Sequence, residues 1–130
     1  MATQIFKNAD LAENYQADAA YEPGTVLDFG GTQEVTVSAA DSRKVAGVVS
    51  TAPAQLMNGA LSGLNVVAIA LQGRVPCKVV GVIRKGDMLV SAGFGYAKVS
   101  YDPRPGQIIG KALADFTGQK GTIEVAVGRD

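Results

Sequence analysis

Residues 64–90, LNVVAIALQGRVPCKVVGVIRKGDMLV, form the longest mainly apolar region of the chain, and their reading decides the fold. β-Branched side chains dominate the stretch, and polar residues interrupt it only briefly. Gln72-Gly73 and Lys85-Gly86-Asp87 mark two turn points. The pattern predicts two or three core strands joined by tight turns.

The flanking sequence repeats that texture. Before the central region, strands are expected over 25–29, after the Pro23-Gly24 turn, over 32–39, where Val35 and Val37 alternate with polar residues, and over 44–50. After it, strands are expected over 96–100, 108–114 and 122–127, the last two separated by a turn at 118–121. About nine or ten short strands at this spacing predict an all-β domain, a compact sandwich or barrel-like fold. Sixteen glycines suit the many tight turns such a fold needs.

Two segments break the rhythm. Residues 1–20 are polar and acidic, with Ile5, Phe6, Leu11 and Tyr15 as isolated apolar anchors. Leu11 and Tyr15 are four apart, so residues 9–15 suggest one or two helical turns capped by Asn8. The segment reads as an extended N-terminal arm that docks on a partner, and residues 21–130 as a single β domain. Residues 52–63 read as a surface loop with a helical turn over 54–57. Exposed Leu56, Met57 and Leu61 there would form an apolar patch, a first candidate for a subunit contact. Phe94, Tyr96 and Tyr101 are candidates for exposed tip loops.

Composition bounds the chemistry. At 130 residues, 47% hydrophobic and 18% charged, the chain buries much of itself or covers its surface with copies of itself. Net charge is zero but uneven: residues 1–41 hold seven carboxylates against Lys7, and the remainder holds eleven cations against five carboxylates. A negative first third and a positive remainder can attract each other within a chain or between subunits, or both sets can simply be solvated. No dense basic cluster with interleaved aromatics points to nucleic acid, and no apolar run reaches a membrane span. No signal-peptide pattern opens the chain, so it is expected to act in the cytosol or in something assembled there.

Enzymatic chemistry finds little footing. There is no histidine, which removes Ser-His-Asp and Cys-His arrangements and ordinary zinc sites. The single cysteine, Cys77, lies in an apolar strand and reads as a small core residue. Gly106-Gln107-Ile108-Ile109-Gly110-Lys111 is one residue too short for a phosphate-binding loop, and Ala112 stands where a metal-binding hydroxyl belongs. Ser50 or Ser91 with a lysine would be the remaining self-cleavage dyad. No catalytic residue, cofactor or metal is expected.

Several phrases together carry a family resemblance: ADLAENYQADAAYEPGTVLDFGG (9–31), RKVAGVVST (43–51), QLMN (55–58), ALQGRVPCKV (70–79), RKGDMLV (84–90), IIGKAL (108–113) and IEVAVG (123–128). They resemble a domain near the C-terminus of tail-fibre-like structural proteins of tailed phages, particularly those infecting cyanobacteria. The resemblance implies architecture rather than catalysis. Standing without a fibre shaft, the chain also resembles small capsid decoration (cement) proteins, which commonly sit as trimers on the phage head. The resemblance therefore implies a virion component that is a homotrimer and contacts the major capsid protein or other virion proteins. In the alternative, it is a tail-fibre domain for host attachment.

Overall fold

One strand runs through both halves of the molecule. In the computed structural model, which describes residues 9–128, the central stretch forms a continuous 18-residue strand. The ten strands are β1 (Ala9–Gln16), β2 (Val26–Phe29), β3 (Val35–Val37), β4 (Val45–Ser50), β5 (Gln55–Met57), β6 (Val66–Ile83), β7 (Met88–Gly93), β8 (Tyr96–Val99), β9 (Gly110–Ala112) and β10 (Phe116–Val127). The architecture is all-β, as the strand spacing predicts, and no helix occurs among the described residues.

Pairing closes these strands on themselves. From β6 the ladder runs to β10, β9, β7 and β8, and Val79 of β6 pairs with Ala97 of β8 to complete a five-stranded barrel. The N-terminal half of β6 enters a second ring. There it pairs with β1 and β4, β4 pairs with β2, and β2 with β3. A parallel bridge between Ala17 and Val35 joins the end of β1 to β3, with Asp18 N–H donating to the Val35 carbonyl at 3.2 Å. Closure leaves few bare ladder edges.

The core follows the rings. Val75, Cys77, Val79, Leu89, Ile123 and Val125 are among the buried residues of the first cluster, and Leu27, Val35, Val49, Val67 and Ile69 form the heart of the second. Alternate residues of one strand serve different clusters: Val26 and Leu27 on β2, Val48 and Val49 on β4, Ala70 and Ile69 on β6. These strands are covered on both faces, which is why VAGVVS reads as a nearly unbroken apolar run rather than an alternation. Burying a side chain such as Ile69 or Ile123 stabilises the fold by about 1.5–3 kcal/mol each.

Four local expectations are corrected. Residues 9–15 are not helical: they lie in β1, which pairs along its length with β6. Spacing by four places Leu11 and Tyr15 on one face of a strand as well as of a helix, so that signal does not discriminate. Residues 54–57 make no helical turn, because Gln55–Met57 is β5, parallel to β1. Gln72-Gly73 does not turn the chain. Gly73 lies inside β6 at a φ of 110°, where a Cβ would overlap the Ala9 carbonyl oxygen of the crossing β1. Only glycine permits that approach. Likewise 118–121 is a register shift inside β10, opposite Gly81 and Val79 of β6. Lys85-Gly86 is the turn expected.

Candidate functional site

β1 carries a face that the sequence residues alone leave scattered. Leu11, Glu13 and Tyr15 alternate onto one side of the strand. Parallel pairing sets Met57 of β5 beside Glu13, on that same side. Tyr15 stacks edge-on against Phe29 of β2, ring centroids 5.6 Å apart, and its hydroxyl donates to Glu13 at 3.1 Å. Glu34 accepts the Gln16 N–H at 2.8 Å and completes the rim. Burial, then the Glu13 carboxylate and more weakly Glu34, push the Tyr15 hydroxyl above its ordinary value. The result is an apolar patch with a carboxylate rim. It unites two expected arm residues, Leu11 and Tyr15, with one expected subunit-contact residue, Met57. Ile5 and Phe6, the other arm anchors, lie outside the described residues.

Leu56 belongs to the opposite side. It pairs with the buried Ala12 and lines a depression of about 430 Å³ with Tyr21, Pro23, Pro53 and Val66. Leu56 and Met57 are both exposed on β5, and among the described residues β5 pairs only with β1. Leu61 is half-buried in the following loop. Leu64, three residues further, is 95% exposed, and sequence reading missed it as a surface residue because it begins an apolar run.

A second surface surrounds the β7–β8 turn. Phe94 and Gly95 both take left-handed conformations, φ 55° and 82°, as a type I′ hairpin turn requires. Asparagine, aspartate and glycine are the residues that favour the first position; a bulky aromatic there is strained by about 1–2 kcal/mol. Gly95 is required, since a Cβ there would press on the Thr25 methyl at 2.5 Å. The Phe94 ring is 89% exposed and lines a depression of about 450 Å³ with Tyr21, Glu22, Val37 and Lys78. Tyr96, half-buried, lies under two ammonium groups, Lys78 at 5.5 Å and Lys120 at 5.3 Å from the ring centre. Tyr101 is 86% exposed on a separate loop.

The uneven charge is partly used within the chain. Of three ion pairs among the described residues, Glu22–Lys78 and Asp41–Lys98 join the acidic first third to the basic remainder. Arg74–Glu124 ties β6 to β10. Asp18 accepts from the Thr36 hydroxyl at 2.6 Å and from Tyr21, and these bonds hold its carboxyl below the ordinary range.

Residues with chemical potential are placed apart. Cys77 is fully buried, and burial pushes its thiol up to about 12. Ser91 is fully buried and its hydroxyl accepts the Gly93 N–H, while Ser50 lies at the other ring on β4. Lys111 and Gly110, from the truncated phosphate-loop pattern, are strand residues of β9. No group of three or more His, Cys, Asp or Glu side chains able to hold a metal occurs among the described residues. No protein-family description matches the chain, and no characterised protein matches it significantly.

Proposed function

We propose that the protein is a non-enzymatic virion component of a tailed phage, a trimeric decoration protein that covers and stabilises the head lattice. The phrase-level resemblance supplies the phage assignment. The observation that carries the docking role is β5: a short outer strand, paired among the described residues only with β1, with Leu56 and Met57 exposed on its two sides. A bare strand beside apolar side chains favours burial against another chain. A closed barrel suits a clamp whose work is surface burial.

The test is light scattering with size-exclusion chromatography, before and after mixing with phage heads assembled without this chain. Residues 9–16 are part of the sheet, so the informative truncation removes residues 1–8 and leaves β1 intact. A trimer that co-elutes with heads supports the proposal, and a trimer that ignores heads overturns the head assignment. A second reading, a tail-fibre domain for host attachment, draws on Phe94: an exposed ring on a strained turn is a ready contact for a receptor. Binding to host cells without binding to heads selects it.

A further inference from the structure

The two surfaces described above are complementary to each other. One is an apolar patch of exposed Met57 and Phe29 with half-buried Leu11 and Tyr15, the last also packed against the second core cluster, rimmed by Glu13 and Glu34. The other is a projecting ring, Phe94, with Lys120 and Lys78 gathered over the neighbouring Tyr96. Charge on a larger scale has the same sense. Residues 9–72, which build the second ring, hold seven carboxylates against Arg43 and Lys44. Residues 73–128, which build the barrel, hold eight cations against four carboxylates. Glu22 and Asp41 neutralise Lys78 and Lys98 internally, whereas Lys120 makes no ion pair among the described residues. On the acidic side Glu13 and Glu34 have hydroxyl and amide partners but no cation among the described residues.

Among the described residues no ion pair joins Lys120 to Glu13 or Glu34 within one copy. Phe94 shares its depression with Tyr21 and Val37, and Val37 lies two residues along β3 from Val35, the partner of Phe29. We infer that the protein associates with itself head to tail, the Phe94 turn of one copy seated on the Tyr15–Met57 patch of the next, with Lys120 facing Glu13 and Glu34. This rests on the self-association in the proposed function and adds its symmetry. Such a contact is heterologous: each copy uses a different surface on each side, so three copies close a ring only if the rotation permits. The Glu22–Lys78 pair beside Phe94 is self-neutralised, which leaves Lys120 as the cation of this surface; an exposed aromatic beside that cation, meeting an apolar patch rimmed by carboxylates, has the anatomy of an interface anchor and its rim.

Sedimentation velocity on three proteins tests this. The wild type should associate, and more weakly as salt rises. A Glu13→Lys/Glu34→Lys variant and a Phe94→Ser/Lys120→Glu variant should each weaken self-association at least about tenfold. Mixed, they should form a one-to-one dimer, because the first keeps an intact Phe94 turn and the second an intact acidic patch. All four positions are exposed or half-buried, and matching circular dichroism of the variants guards against misfolding. If the double charge reversal destabilises the fold, Glu34→Gln alone should still increase dissociation. A monomeric wild type at low salt overturns the inference, as does a mixture that stays monomeric or variants that associate as wild type does. Head binding is scored separately. A protein that binds heads as a monomer loses this inference and keeps the decoration role; head-to-tail assembly without head binding does the reverse.

Discussion

Gly73 and Ala9 meet where β1 crosses β6, and the Ala9 carbonyl oxygen occupies the space a Gly73 side chain would need. Gly73 also holds a φ of 110°, which L-residues avoid. Both faults act on any replacement. Gly73→Ala should therefore cost about 2–3 kcal/mol, a combined steric and conformational penalty. Gly86, also left-handed but with open space at its Cβ position, provides the comparison. Gly86→Ala should cost about 1 kcal/mol. Urea midpoints of the two variants check the difference; equal losses would show that the crossing relaxes freely.

Gly73 also marks the limit of what the sequence makes legible. The apolar and β-branched run identifies the core strand, but a glycine reads alike as a turn or as a close backbone approach. Only the non-local partner, β1, distinguishes them. Leu11 and Tyr15 suffer a similar ambiguity, since spacing by four fits strand and helix alike. The Ala17–Val35 bridge that closes the second ring joins residues eighteen apart in sequence, and no local pattern announces it. Met57 was legible as exposed, but its place beside Glu13 depends on the parallel β1–β5 register. Phe94 was legible as a residue of an exposed loop; that it takes the left-handed position was not.

Phe94 is strained where asparagine would be comfortable. Phe94→Asn should raise stability by about 1 kcal/mol, because the turn keeps its geometry and loses the penalty. The same change should weaken whichever association the ring serves. Thermal melts paired with sedimentation separate the two effects. A Phe94→Asn protein less stable than wild type would mean that the exposed ring packs usefully within its own chain.

Cys77 gives a pH signature. Its folded value, about 12, lies above the unfolded one, so in alkali the unfolded chain ionises first. The folded state then binds more protons, and stability falls as pH rises above about 9, by up to about 1.4 kcal/mol per pH unit. The raised Tyr15 and Tyr21 hydroxyls act in the same direction above their ordinary range. Cys77→Ala should flatten the alkaline limb of a stability–pH curve. At neutral pH an aromatic disulfide reagent should label Cys77 only as fast as the protein opens.

Asp18 acts at the opposite extreme. Its carboxyl is depressed by the Thr36 and Tyr21 hydroxyls, so the stabilisation is present above its unfolded value and is lost as pH falls through the folded one. Thr36→Val removes the first of these donors, so it should lower stability at neutral pH and flatten the acid limb of the stability curve. Asp18→Asn should make that limb shallower. Chemical denaturation from neutral pH down into the acid range reads both, and an unchanged limb in each would place the acid sensitivity elsewhere.

β6 supplies Ile69 to one core cluster and Val75, Cys77 and Val79 to the other, and that continuity predicts a single unfolding transition. A truncation in either cluster should weaken both. Ile69→Ala in the second ring and Ile123→Ala in the barrel should each cost about 2–5 kcal/mol. Under conditions where exchange reports global opening, each should lower amide protection of Leu27 and of Val125 by a common factor. Leu27 lies in the second cluster and Val125 in the first, so the pair reports both ends of β6. Loss of protection at Leu27 alone in the Ile69→Ala variant would instead mean that the second ring opens by itself. In that case the Ala17–Val35 bridge and the β1 ladder are the contacts that yield, because they close that ring without contributing to the barrel.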